Sequence, residues 1–331
     1  MPTLHPRNAA TQRPKETISR ADVYTRITDQ IIKAIEAGAQ TCTMPWHAPD
    51  IALAIPRNAM TQKAYRGVNI VALLAEAQAH HYPEAKWATY RQWSDLGYQV
   101  NKGEKSACAV FWKPLDIDAT GKSESDHVTE DADTPQSRWV ARAFALFNIA
   151  QTANYEPPVT QPPRPGHERI AEIEHFIKAL GPDIRHGGNR AFYRPATDHI
   201  QMPPFNCFVD PFSYYSTLTH EVTHWTGHTS RLNRELKTRF GTESYAAEEL
   251  IAELGSAFLC ADLGLSSESR PENAAYIDNW LTVLKRDTRA IFAAASYAQR
   301  AVDFMHDLRG AAPQPEVTAV VSRSIQQSLC L

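Results

Sequence analysis

The sequence predicts an α+β protein of two domains, an N-terminal α+β module and a helix-rich C-terminal one, and three observations lead there. Apolar residues recur at helical spacing near both ends of the chain, Val23, Ile27, Ile31 and Ile35 being the clearest case. Two extended runs, 108–113 and 139–149, lie between them without that period. The run Glu156-Pro157-Pro158-Val159-Thr160-Gln161-Pro162-Pro163-Arg164-Pro165-Gly166 can be neither helix nor sheet interior, because proline fixes φ and lacks the N–H. A linker over 153–166 therefore separates a domain over 18–152 from one over 167–310, and 331 residues is the length of about two such units.

The elements follow in order. Residues 1–17 are polar and proline-bearing and read as a disordered leader. A helix over 20–37 stops at Gly38, a loop holds Pro45-Trp46, and further helices are expected over 68–79 and 86–96. The two extended runs flank an acidic, serine-rich insertion, 116–137, with no apolar period, which reads as a solvated loop. Beyond the linker a helix over 167–180 ends at Gly181-Pro182, and extended stretches take in 191–193 and 199–202. Helices follow around 220 and over 248–259, 272–285 and 287–308, and 311–331 reads as a disordered tail.

Composition narrows the function classes. Hydrophobic residues make up 43% and charged ones 21%, the balance of a globular chain. A net charge of −3 argues against a protein that coats nucleic acid uniformly, although a local basic groove can hide within it. The five cysteines are scattered, with no C-x-x-C pair, which excludes a disulfide scaffold or a cysteine-rich zinc knuckle and suits a reducing compartment. No stretch approaches 18 apolar residues and the N-terminus has no apolar signal core, so a cytoplasmic protein with no membrane partner is expected.

The run His220-Glu221-Val222-Thr223-His224 carries the chemistry. Residues four apart on a helix share a face with a rise of about 6 Å, so both imidazoles can reach one ion. Zinc accepts nitrogen ligands at about 2.0–2.1 Å and, in catalytic sites, keeps a position open for water. Glu221 then faces that water as general base. A third ligand is needed. His228 lies about 12 Å along the axis from His220 on a continuing helix, and the extended metzincin pattern fails because its last histidine falls on Ser230. Glu249 and Glu253 share a face of the next helix, beside Leu250, Leu254 and Phe258, where carboxylates without partners would be costly. One of them can bind metal while the other orients a histidine through its free N–H. Glu249 is favoured as ligand, with Glu253 as the alternative, and one Zn²⁺ per chain is expected, another divalent transition metal being the alternative.

Three runs, GGNRAFYRPATDHIQMPPF (187–205), YYSTLTHEVTHWTGHTSRLNR (214–234) and YAAEELIAELGSAFL (245–259), closely resemble the zincin-like metallopeptidase domain of plasmid ArdC-type antirestriction proteins. The first half resembles that family's N-terminal domain at Pro45-Trp46, Pro56-Arg57-Asn58, Tyr65-Arg66-Gly67-Val68-Asn69, Trp87-Ala88-Thr89-Tyr90, Trp93, Val100-Asn101-Lys102-Gly103-Glu104-Lys105 and Phe147-Asn148. A related N-terminal domain accompanies conjugative primases. The resemblance implies single-stranded DNA binding by the N-terminal domain and protection of incoming plasmid DNA from host restriction, with a host protein as the candidate peptide substrate.

Read on its own, the segment from Arg57 to Lys113 has the ingredients of a single-strand groove. Arg57, Lys63, Arg66, Lys86, Arg91, Lys102, Lys105 and Lys113 outnumber Glu76, Glu84, Asp95 and Glu104, and Tyr65, Trp87, Tyr90, Trp93, Tyr98 and Trp112 are interleaved with them. Cations track phosphates and aromatic faces stack on bases. The competing reading makes the aromatics core and the charges a solvated face. With the resemblance added, Arg57, Asn58, Lys63, Tyr65, Arg66, Asn69, Trp87, Tyr90, Trp93, Lys102 and Lys105 become the candidate DNA contacts. Two other functions stay open at this point: a DNA-binding protein with a structural or vestigial metal site, and a peptidase whose N-terminal domain docks a protein partner.

Overall fold

The apolar stripe Val23, Ile27, Ile31 and Ile35 is fully buried in a helix, α1 (Arg20–Gly38). Each such side chain contributes roughly 1.5–3 kcal/mol through burial. The structure, a computed structural model, describes residues 20–38, 44–46, 54–114, 139–157, 166–234, 243–265 and 274–311. The expected leader, the acidic insertion, the linker from 158 onward and the tail from 312 onward lie outside the described residues.

A four-stranded sheet, ordered β1-β2-β4-β3, forms the N-terminal half from β1 (Arg57–Asn58), β2 (Lys86–Ala88), β3 (Ala107–Pro114) and β4 (Trp139–Asn148). β1 runs parallel to β2, and β4 is antiparallel to both β2 and β3. The helix expected over 86–96 is a strand and a shorter helix instead, β2 followed by α3 (Tyr90–Asp95). Thr89 accounts for the break: its hydroxyl accepts from the Gln92 N–H at 3.2 Å while Gln92 Oε1 accepts from the Thr89 N–H at 3.0 Å. That reciprocal cap starts the helix at Tyr90 and leaves 86–88 to pair with β1 and β4.

α2 (Val68–Ala79) lies along β3 and closes the sheet's exposed edge there. The Asn69 side chain donates to Val110 O and accepts from Val110 N, both at 2.8 Å, and so replaces the missing neighbouring strand.

In the C-terminal half, α4 (Gly166–Leu180) leads into a three-stranded sheet of β5 (Asp183–His186), β6 (Phe192–Arg194) and β7 (His199–Met202), ordered β5-β7-β6. Among the described residues four α-helices follow: α5 (Pro211–Thr226), α6 (Glu243–Asp262), α7 (Ala274–Arg286) and α8 (Ala290–Ala311). None of the helices among the described residues is long and apolar enough to cross a membrane.

The proline run divides the chain in sequence but not in the core. One apolar cluster takes in Ile27 and Ile31 of α1, Ile70 and Val71 of α2, and Trp280, Ile291 and Met305 of α7 and α8. Polar contacts cross the same boundary. Thr28 Oγ1 donates to Thr288 O at 2.7 Å, Lys285 pairs with Glu36 at 2.7 Å, and the Gly67 N–H donates to Gln299 Oε1 at 3.1 Å.

Candidate metal centre

α5 is set by its own ends. Asp210 caps it by accepting from the Ser213 N–H at 2.8 Å, Pro211 occupies the first turn where no N–H is needed, and Gly227 closes it. The spacing within it turns His220, Glu221 and His224 toward one cavity. His220 and Glu221 are 4% and 6% exposed, so these polar groups are held out of water and need partners.

The partners come from α6, which crosses α5 closely at Gly255. A Cβ on Gly255 would stand 2.5 Å from Thr223 Cγ2, so only glycine permits this approach. One turn away, Thr219 Oγ1 and Ser256 Oγ lie 2.7 Å apart. The contact brings the glutamates of α6 onto the histidines of α5. Glu249 straddles them: its two oxygens lie 3.5 Å from His220 Nε2 and 3.6 Å from His224 Nε2, and the two Nε2 atoms are 3.1 Å apart. One ligand atom from each of the three residues falls within 4.8 Å of the others, a two-imidazole, one-carboxylate donor set suited to a single divalent ion. Glu253, the alternative third ligand, stands instead behind His220, 3.6 Å from its Nδ1, and Glu248 stands behind His224, 3.1 Å from its Nδ1. Both histidines therefore turn Nδ1 to a carboxylate and Nε2 to the shared cavity.

The electrostatics match this convergence. Burial by itself pulls the His224 imidazole down, but Glu249, Glu248 and Glu221 outweigh it and push the value up to about 8. For Glu249 burial works upward, and His224, His220 and a hydrogen bond from Tyr245 bring the carboxyl down to about 2. Without a metal the site thus holds its charges as mutually paired ions. Divalent metal binding has to displace the proton from His224.

A cavity of about 570 Å³ opens over the three residues and is lined also by Glu221, Tyr245, Tyr276 and residues 189–193. The segment 198–202 cannot hold a substrate strand, because β7 is the central strand and pairs with β5 on one side and β6 on the other. The sheet edge that lines the cavity is β6, one strand further out.

The N-terminal candidates separate into four groups. Trp87 and Trp93 are each 1% exposed and belong to the core, so neither can stack on a base. Trp93 Nε1 donates to Phe147 O at 2.9 Å, which fixes it further. Asn58, Tyr65 and Asn69 are scaffold: Asn58 donates to Tyr65 Oη and to Gln92 Oε1, both at 3.1 Å, and caps the turn at Thr61, while Asn69 closes the β3 edge. Arg66 is exposed but ion-paired to Asp303 of α8. Arg57, Lys63, Tyr90, Lys102 and Lys105 remain at the surface. Sequence reasoning missed Phe111 and Phe144, which are 59% and 41% exposed and meet edge-on at 6.2 Å across the β3–β4 pair beside Arg142. It also missed Tyr245 and Tyr276, whose placement depends on how α6 and α7 pack.

Comparison with known proteins agrees with both halves. Residues 21–147 match the N-terminal domain of anti-restriction factor ArdC, and residues 171–297 match a zincin-like metallopeptidase domain. The chain is 50% identical over 296 residues to the uncharacterized protein y4eC of Sinorhizobium fredii, covering 89% of this chain and 95% of that one. It is 34% identical over 289 residues to an Escherichia coli DNA primase TraC, of which it spans 27%. Among solved structures it resembles the antirestriction ArdC protein of the R388 plasmid at 36% identity. The metal-free form gives a TM-score of 0.70 over 88% of this chain and all of that one. The Mn(II)-bound form gives 0.69, with 88% and 99% covered. The chain belongs to the ArdC family of antirestriction proteins, with an ArdC N-terminal domain followed by a zincin-like metallopeptidase domain.

Proposed function

We propose that this protein is a cytoplasmic single-stranded-DNA-binding antirestriction protein, and that its second half is a zinc-dependent peptidase which helps protect incoming plasmid DNA from host restriction. The observation that supports the hydrolytic part is the convergence of His220 Nε2, His224 Nε2 and the Glu249 carboxylate beside an intact Glu221. A divalent ion bound by these three would polarise a scissile carbonyl and lower the pKa of its water toward about 7. Glu221, which lines the same cavity, would accept the proton of the attacking water and return it to the leaving amine. A site that served structure alone would need no base. The free edge of β6 can hold an extended peptide by strand pairing and set its carbonyl over the cavity. Zinc suits the donor set, and Mn(II) is the competing ion because the R388 protein has been solved with it.

DNA binding falls to the exposed residues. Arg57 and Lys86 are neighbours in register at the sheet edge, with Lys63 and Tyr90 close by through the Asn58–Gln92 contact. Phe111 and Phe144 with Arg142 offer a second stacking surface. Cations on phosphates and rings on bases meet the needs of a single strand.

Glu221→Gln separates the two activities. The variant should bind metal and single-stranded DNA like the wild type and lose peptide cleavage. Restriction protection assayed in parallel tells whether cleavage matters: full protection by Glu221→Gln would leave a DNA-binding protein whose metal serves another purpose.

A further inference from the structure

Arg234 is a charged residue that the proposed chemistry does not use, yet its side chain is only 4% exposed. It follows α5 by eight residues, and its backbone N–H donates to Gly227 O at 2.9 Å. The guanidinium gives four hydrogen bonds: Nε to Glu248 Oε2 at 3.1 Å, Nη2 to Glu248 Oε1 at 2.9 Å, Nη1 to Thr226 Oγ1 at 2.9 Å and Nη2 to Thr223 O at 2.7 Å. It therefore binds both oxygens of Glu248 and ties them to the last turn of α5. Glu248 Oε1, held this way, lies 3.1 Å from His224 Nδ1.

We infer that Arg234 and Glu248 are positioning residues for the metal ligand His224, acting in series from guanidinium to carboxylate to imidazole. The inference rests on the metal reading of His220, His224 and Glu249. An imidazole can present either nitrogen, and the hydrogen bond made by one decides which carries the lone pair. A carboxylate at Nδ1 can only accept, so it keeps the hydrogen there and leaves Nε2 free toward Glu249. A carboxylate with several orientations would hold that preference poorly. The two-pronged guanidinium grips both oxygens of Glu248 and so allows it one orientation toward His224. A tie between two helices could be apolar at no loss of stability, since well-packed hydrophobic residues commonly replace buried ion pairs without penalty. The positioning role explains why this one is ionic.

The test uses the full chain with ¹⁵N-labelled histidine and three variants, Glu248→Gln, Arg234→Lys and the double replacement Arg234→Met with Glu248→Leu. The double variant removes both charges together and avoids leaving either buried alone. Two readouts are taken: the His224 ring nitrogen signals of the metal-free protein at pH 9, and the dissociation constants for Zn²⁺ and Co²⁺, with the Co²⁺ absorption spectrum. Wild type should show His224 hydrogenated at Nδ1. Glu248→Gln and the double variant should shift it toward Nε2 and weaken both metals about 10–100-fold, with Arg234→Lys between them and wild type. A double variant that melts like wild type and keeps both the Nδ1 hydrogen and the metal affinity would overturn the inference. If wild type takes up no metal, the functional reading fails by itself, and the ring nitrogen signals still decide the inference.

Discussion

Two polar assemblies in this protein are built on opposite terms. At the metal centre His220, His224, Glu248, Glu249 and Glu253 are linked by contacts of 3.1 to 3.6 Å, shielded from water, and each has a partner. Around the N-terminal sheet the exposed cations Arg57, Lys63, Lys102 and Lys105 face solvent and are spread over β1 and the loops beside it. A metal needs its ligands at a point, so displacing one side chain destroys the site. A polyanion needs only a sign and a few flat faces, so each contact is worth little and the sum is spread. Buried, convergent groups should therefore fail abruptly on substitution, and surface groups gradually.

The largest effect should come from the ligands. His220→Ala should abolish stoichiometric metal, measured by elemental analysis after dialysis. Glu249→Ala should weaken binding well beyond the about 10–100-fold expected for losing an orienting carboxylate, as in Glu253→Ala. Full occupancy in the Glu249 variant would transfer the ligand role to Glu253.

Next come the two aromatic classes of the N-terminal half. Trp93→Ala should destabilise the fold by about 3–5 kcal/mol in denaturant titrations, as emptied core sites do. Tyr90→Ala should leave stability nearly unchanged and weaken single-stranded DNA by about 1–3 kcal/mol, the usual worth of one stacked ring. A Trp93 variant that folds like wild type but loses DNA would restore that residue to the binding face.

Gly255→Ala probes the helix crossing on which the metal site stands. Overpacking there should cost about 1–3 kcal/mol and weaken metal at the same time, because α6 must move back from Thr223. Normal metal affinity in a destabilised Gly255 variant would show that the site adjusts independently of the crossing.

Acidity gives a smaller and signed effect on the metal-free protein. His224 rises from 6.5 to about 8 on folding, so its contribution is complete below pH 6.5 and disappears as pH climbs through about 8. Glu249 falls from 4.5 to about 2, so its contribution is complete above pH 4.5 and disappears as pH falls through about 2. Between pH 6 and 9 the metal-free protein should lose on the order of 1–2 kcal/mol, read by calorimetry. The zinc-loaded protein should show no such loss. The smallest effect belongs to the surface: replacing Lys102 and Lys105 together by glutamine should lower the salt slope of single-stranded DNA binding by about two units. An unchanged slope would move the DNA track elsewhere on the sheet.

Much of the metal site was legible because the helical period carries it. Positions 220, 221 and 224 follow from one motif, and 249 with 253 from a second four-residue spacing. Arg234 was not legible, since a loop arginine has no period to betray it, and Glu248 was hidden by its neighbour Glu249. The N-terminal half shows the converse. Composition marks aromatic and basic residues only as a set, and the choice between core and surface for Trp87 against Phe111 depends on which side of a four-stranded sheet each one faces, which is decided by distant pairing. The helix expected over 86–96 starts late because the Thr89 cap sets its first residue at Tyr90, and the position of β7 at the sheet centre depends on its pairing with β5, which tertiary packing decides.

The core shared by α1 and the last two helices also governs how the chain comes into being. Thr28 and its partner Thr288 are 260 residues apart. At ribosomal rates of about 5–20 residues per second, α1 waits roughly 13–52 s before the last part of its cover exists. During that interval Ile27, Ile31 and Ile35 have only α2 and the N-terminal sheet to pack against. The nascent protein is thus a natural client for chaperones that hold incomplete chains, and its yield in the cell should depend on them more than the stability of the finished molecule would suggest.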